Sequence, residues 1–315
     1  MSGRDPGLWP MLGLIAAMAA VPLLFPANTV LNFFVGALIV ILAAQGWNIL
    51  GGLAGQLSFG HAAFYGTGAY VSAVLQQRYG VNAWAGAAAG IAAGATVGGI
   101  VGALVFRAGL RGSYFALVTL AFAEVFRILV NAAPITGGAA GLLVKLDARP
   151  QNFQFTSRAT FFYVALACVT GALLLTRGIT RSRFGARLAA VRENEEAARA
   201  LGIDAFAVKL QAMILSAGIT AAAGVLYLQY YLYLDAGIAY GTGVSVAALL
   251  APVVGGVGTV LGPVLGGLAL EALGHATRLL PGAVAGLDQV LFGLLLVAAI
   301  AFMPGGLVGA RGRRQ

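Results

Sequence analysis

Apolar residues along this chain run in blocks of about twenty, separated by short stretches of glycine, proline or charge. A helix needs roughly 20 apolar residues to cross the hydrocarbon of a bilayer, with about 17–25 as the working range. On that criterion the pattern predicts spans at residues 8–25, 30–50, 60–75, 83–106, 113–131, 159–176, 209–231 and 284–303. Residues 244–273 form a longer apolar run interrupted by Pro252, Gly255, Gly256, Gly258, Gly262 and Pro263. Breakers at that density favour two shorter passes over one straight helix. The expected fold is therefore all-α and integral to the membrane. It is a polytopic helical bundle of nine or ten transmembrane segments, some broken or re-entrant, forming one domain over residues 1–315. The first block, 8–25, follows Arg4 and has the outline of a secretory signal. It lacks a small-x-small cleavage site and further spans follow at once, so it counts as the first span.

Composition agrees with the pattern. Sixty per cent of the 315 residues are apolar, 9% are charged, and the mean hydropathy is +0.91. A soluble domain carries about a quarter charged residues to keep its surface wet, so a globular soluble protein is excluded. The net charge of +9 does not call for nucleic acid, because the basic residues sit between the apolar blocks and in the tail 304–315. With residues 177–209 in the cytoplasm and 244–273 crossing twice, both termini fall inside. Thirteen basic residues then lie inside and five outside, with Arg127 within a span, as the positive-inside rule requires. A single pass for 244–273 would put Arg311, Arg313 and Arg314 outside. Cys168 is the one cysteine, so no intrachain disulfide can form, and its apolar setting reads as a small packed hydrophobe.

Gly86, Gly90, Gly94, Gly98 and Gly102 recur every fourth residue through one predicted span, and Gly258, Gly262 and Gly266 repeat the spacing. Small residues at that interval let two helix backbones approach closely in lipid, so both runs are expected to be packing faces.

Three groups of polar residues fall within apolar stretches. Gly51, Gly52, Gly55 and Gly60 flank Gln56, Ser58 and His61. That glycine density fits either a tight turn between antiparallel spans or a broken helix whose freed backbone groups line a substrate pathway. His61 reads as a hydrogen-bonded structural histidine or as a proton relay. Glu124 and Arg127 stand three apart in one span, close enough to pair. Charge at that depth is expected to face a bundle interior or a cavity, either as a mutually neutralised lock or in contact with substrate. Gly52, Gly55, Gln56, Ser58, His61, Glu124 and Arg127 are thus the candidate pathway residues. Glu271 and His275, four apart near a helix end, fit a gate pair or a headgroup contact equally well.

Residues 177–209 form the long charged segment of the chain, with seven basic and four acidic residues. From 189 to 201 good helix formers predict a short amphipathic helix, and Gly202 is placed to end it in a left-handed cap. The stretch Arg192, Glu193, Asn194, Glu195, Glu196, Ala197 and Ala198, followed by Gly202, resembles the EAA loop of ABC importer permeases. In that family the loop is a cytoplasmic helix that docks into a groove on an ATP-binding subunit.

Further stretches extend the resemblance. The segment WNILGGLAGQLSFGHAAFYGTGAYVSAVL at 47–75, with its core GQLSFGHA, is similar to the signature region of the branched-chain amino acid permeases. So are GSYFALVTLAFAEVFRILVNAAPITGGAAG at 112–141, VVGGVGTVLGPVL at 253–265 and the closing residues 302–307. The blocks cover the chain from about residue 30 to 307 in the family's order, and Gly-Gln-Leu-Ser resembles the M-type branch of the Liv system. The resemblance implies a single permease domain coupled through its cytoplasmic helix to separate ATPases. The partners it implies are a second homologous permease, two ATP-binding subunits carrying ATP-Mg, and a periplasmic or lipid-anchored substrate-binding protein. It implies a place in the bacterial cytoplasmic membrane, surrounded by lipid.

The chain has no Gly-x-x-x-x-Gly-Lys-Ser/Thr phosphate loop, so it is not expected to hydrolyse ATP, and no bound cofactor, metal or catalytic residue is expected. Branched-chain amino acids are the expected cargo, with urea or short amides as the alternative within the family. A gradient-driven secondary transporter is a further alternative and would rest on Glu124 as its coupling carboxylate. A membrane enzyme would need clustered His, Asp or Glu, and the two histidines stand far apart.

Overall fold

The structure is a computed structural model that describes residues 8–278 together with Val290, Leu291, Gly293, Leu294 and Leu307. The predicted span 284–303 and the basic tail 304–315 lie outside the described residues as segments. Among the described residues the order is α1 (Leu8–Leu24), α2 (Asn28–Trp47), α3 (His61–Tyr79), α4 (Ala83–Arg107), α5 (Gly112–Ala132) and α6 (Arg158–Arg181). There follow α7 (Arg183–Glu193), α8 (Glu195–Ala200), α9 (Ala205–Tyr231), α10 (Ala236–Tyr240), α11 (Thr242–Gly255) and α12 (Gly262–Arg278). Strands β1 (Leu142–Leu143) and β2 (Tyr233–Leu234) pair antiparallel, Leu142 with Leu234 and Leu143 with Tyr233.

Six segments are long and apolar enough to cross a membrane: Asn28–Leu53, α4, α5, α6, α9 and Ala236–Gly255. Helices α1, α3 and α12 complete the bundle on the positions predicted for further spans, each 17 or 19 residues long. Helix α9 is the central post, packed against α2, α3 and α4, while α2 also contacts α6, α11 and α12. The core around these helices includes Leu38, Ile41, Trp47 and Leu226, all nearly inaccessible to solvent.

The glycine run of α4 is a packing face. A methyl group at Gly94 would collide with Ala221 Cβ, and one at Gly98 with Ala217 Cβ, both on α9. At Gly90 it would strike the carbonyl of Gly68 on α3. The second run divides. Gly262 and Gly266 on α12 press against the backbone of Gly256 and Ala251, whereas Gly258 lies outside any helix at φ +73°. The expectation that Gly258 shares the packing face is corrected: it belongs to the turn at 256–261. Gly256 has φ +134°, and these two left-handed glycines let the chain reverse between α11 and α12. The run 244–273 is thus two helices that reverse on each other, as its breakers indicate.

Candidate functional site

Within the charged segment 177–209, whose ends belong to α6 and α9, two short helices form rather than one. The expected single helix over 189–201 is corrected to α7 and α8, because Asn194 leaves the helical conformation and caps α8. Its Oδ1 accepts hydrogen bonds from the backbone N–H groups of Glu196 and Ala197, each at 3.0 Å. Asparagine competes with a continuing helix in this way, since its side chain replaces the missing backbone acceptor. At the other end Gly202 adopts φ +82°. Its N–H reaches the Arg199 carbonyl, and the Ile203 N–H reaches the Ala198 carbonyl. That pair of bonds is a Schellman closure, so Gly202 ends the helix as its position in the sequence predicts.

Helix α8 is fixed through its inner face. Glu195 accepts from Lys209 Nζ at 3.0 Å and from Arg199 at 2.6 Å, and lies 3.4 Å from Arg111 Nε. Burial of the Glu195 carboxyl works against its charge, but the Lys209 hydrogen bond and the neighbouring cations outweigh it and hold its pKa below the ordinary value. Lys209 is buried and sits 5.0 Å over the Phe106 ring, which stacks on Phe115 of α5. Ala198 is buried beside them, whereas Glu196, Ala197, Leu201 and Gly202 face outward. Arg111 and Lys209, absent from the sequence-derived candidates, are therefore part of this site. The signal was present in the one lysine at the loop's end and in the arginine just before the span at 113. What it lacked was any indication that the two meet at Glu195.

Helix α7 makes a second attachment. Arg192 donates to the Gly52 carbonyl at 3.0 Å and pairs with Glu193 at 2.8 Å. Gly55, at φ +69°, lies under the Arg192 side chain, where a Cβ would meet Arg192 Cγ at 2.5 Å. Gly52 belongs to a π-helical turn, Asn48–Leu53, that continues α2. Asn48 on that turn donates to the Thr259 carbonyl at 2.9 Å and accepts from the Gly258 N–H at 2.8 Å. Gln45 donates to the Val260 carbonyl at 2.9 Å. Three parts of the chain, α7, the π turn and the 256–261 turn, thus meet at Gly52.

From Ala54 to Gly60 the chain is non-helical, and α3 begins at His61. The broken helix is present, and several of its freed groups are met by side chains of neighbouring segments. Trp47 donates to the Ser58 carbonyl at 2.8 Å, and the Phe59 N–H reaches Thr119 Oγ1 at 3.2 Å. The Gly60 N–H reaches Ser58 Oγ at 3.2 Å, and the Ala62 N–H reaches Ser245 Oγ at 2.9 Å. Irregular backbone at membrane depth is stable under that condition. His61 is fully buried with Nε2 2.9 Å from Ser216 Oγ on α9, while Gln56 is half-exposed at the end nearer α7.

Glu124 and Arg127 pair in a bidentate fashion, at 2.9 and 2.5 Å. They do not face the interior of this chain. Both side chains lie on the outward side of α5, 45% and 37% exposed. The expectation of an interior position is corrected, because α5 turns its small and aromatic side, Phe115, Ala116, Thr119 and Ala123, to its neighbours.

At the end of the bundle opposite α8 a cavity of about 540 Å³ lies between α2, α6, α9 and α12. Its walls include Asn32, Arg158, Gln229, Tyr230, Glu271 and His275. A second, of about 280 Å³, continues past Tyr231 and Glu271 between Gly36, Tyr65 and Ala248. Neither is lined by Gly52, Gly55, Gln56, Ser58, His61, Glu124 or Arg127. His275 packs edge-on to Phe33 at 5.6 Å. Among the described residues no group of three His, Cys, Asp or Glu is placed to hold a metal ion.

Stacked apolar helices and small-residue seams define a polytopic helical membrane protein. The chain belongs to the branched-chain amino acid transport system permease component family, whose model matches residues 29–300. It is similar to the high-affinity branched-chain amino acid transport system permease protein LivM of Escherichia coli (strain K12), 32% identical over 241 residues. That match covers 69% of this chain and 56% of LivM, so the chain spans little more than half the length of that relative. It is also similar to LivH of Salmonella typhimurium, 27% identical over 287 residues that cover 85% of this chain and 90% of LivH. BraD of Pseudomonas aeruginosa is 27% identical over 292 residues, covering 85% of this chain and 91% of BraD. No solved structure matches the chain.

Proposed function

We propose that this chain is one permease subunit of an ATP-binding cassette importer for branched-chain or related small amino acids. It lies in the bacterial cytoplasmic membrane with α7, α8 and both termini on the cytoplasmic side. Its partners are a second related permease, two ATP-binding subunits that carry the ATP-Mg, and a periplasmic or lipid-anchored binding protein. The chain itself holds no cofactor and catalyses no reaction.

The observation that carries this reading is the two-sided character of α8. Its inner face is bolted to the bundle by Glu195, while Glu196, Ala197 and Leu201 form an exposed surface for a partner. A push on that surface has three rigid routes into the spans. Glu195 passes it to α9 through Lys209 and to the foot of α5 through Arg111. Arg192 passes it to the π turn at Gly52 and so to the reversal between α11 and α12. Because α9 touches α2, α3 and α4, a shift of α9 reaches most of the bundle. A gradient-driven carrier finds less support, since Glu124 is already held in a bidentate pair by Arg127.

Affinity purification of the tagged chain from native membranes tests the reading. Recovery of a second permease and an ATP-binding subunit, with the ATP-binding subunit depleted in Glu196→Arg, is the expected result. Recovery of the chain alone, competent for gradient-driven uptake in liposomes, would overturn it.

A further inference from the structure

Among the described residues α5 is the least covered of the six long apolar segments, with 22% of its most apolar window buried. Its exposed residues, Tyr114, Leu117, Ala121, Val125 and Ile128, recur at intervals of three and four and so form one continuous stripe. The Glu124–Arg127 pair borders that stripe, about 18 Å along the helix from its first residue. Ionised groups at that depth are costly against hydrocarbon even when paired, because lipid offers no hydrogen bonds to their remaining donors and acceptors. The outward faces of α4 and α6 differ. They expose Ile100 and Leu104, or Leu174 and Leu175, and their charges stand near the helix ends. Lipid can cover those faces. The α5 face needs protein.

We infer that the outward face of α5 is the seam with the second permease, where it meets the corresponding helix of that partner with the Glu124–Arg127 pair enclosed between them. This rests on the importer reading above. The choice of occupant follows from the relatives: the LivH match covers 85% of this chain and 90% of LivH, so the two kinds of permease share their span order. Two like folds pair most simply about a twofold axis, which brings the same element of each to the interface. The foot of α5 is also where Arg111 meets Glu195 and Glu196, so the seam stands directly above the helix that a nucleotide-binding partner would move. Small Ala121 at the centre of the stripe permits the close approach that helix pairs in lipid rely on.

Disulfide trapping in the assembled complex tests the seam. In a Cys168→Ser background, Val125→Cys or Ile128→Cys is combined with single cysteines at the aligned positions of the partner permease, and membranes are oxidised with copper phenanthroline. A mixed dimer from the α5 positions, and none from Ile100→Cys on α4, is the expected outcome. A complex that co-purifies with the second permease but traps only through α4, or a trapped pair made of two copies of this chain, overturns the seam and leaves the importer intact. Failure to recover any second permease removes the importer reading and the seam with it.

Discussion

Lys209 Nζ lies 3.0 Å from Glu195 Oε1, although the two residues are fourteen apart and stand on different helices. Lys209 is 2% exposed, so this carboxylate is the counter-charge that makes its burial tolerable.

Glu195→Gln is therefore expected to leave a buried ammonium without an anion and to cost about 3–5 kcal/mol. Lys209→Met with Glu195→Gln should cost far less than the two single changes summed, because neither charge is then left alone. Thermal unfolding of the four proteins in detergent checks both statements. A strictly additive cycle would mean that the pair is not coupled.

The same pair gives a pH dependence with a definite sign. The folded-state pKa of Glu195 is depressed, so its contribution is complete above the unfolded carboxylate range and is lost as pH falls through the folded value. The wild-type midpoint should drop on acidification below about pH 4.5 more steeply than that of Glu195→Gln. Parallel pH profiles would show that Glu195 carries no such linkage.

Asn48 secures both the Gly258 N–H and the Thr259 carbonyl. Asn48→Ala leaves two buried backbone groups unsatisfied and should destabilise by roughly 2–4 kcal/mol. Unchanged protease resistance around 256–261 in Asn48→Ala would contradict the role given to this contact.

Gly202 has open space around its Cα, so only its backbone conformation restricts substitution. Gly202→Val should disturb the end of α8 by about 1–2 kcal/mol, and Gly202→Asn by less, since asparagine tolerates the left-handed region. Transport-coupled ATP hydrolysis should follow the order glycine, asparagine, valine. Equal rates for all three would show that the helix end is not sensed by the ATPase.

A methyl at Gly98 would strike Ala217 Cβ, whereas one at Gly171 on α6 meets nothing. Gly98→Ala should lower the unfolding midpoint by the equivalent of roughly 1–3 kcal/mol through overpacking. Gly171→Ala should be neutral or stabilising by up to about 1 kcal/mol through its helix propensity. Scanning both by thermal unfolding separates a packing face from a mere run of small residues.

Much of this protein was legible in its sequence because the bilayer simplifies the problem. A span needs length and apolarity, and both can be read residue by residue; hence α2, α4, α5, α6 and α9 fall within a few residues of the predicted blocks. The break in 244–273 followed from Pro252 and its glycines, and the left-handed cap at Gly202 from the one residue type that adopts it freely. The family was legible too, in the blocks around 55–62, 112–141 and 192–204.

Tertiary structure decided which polar groups meet. Whether 54–60 opens to water depends on Trp47, Thr119 and Ser245 arriving from three other segments. The direction of Glu124 and Arg127 depends on which side of α5 its neighbours occupy, and helical periodicity is silent on that point. Apolar pattern is a local property of the chain, so the sequence determined the spans; the pairing of charges and the filling of hydrogen bonds are properties of neighbours, which exist only once the chain has folded.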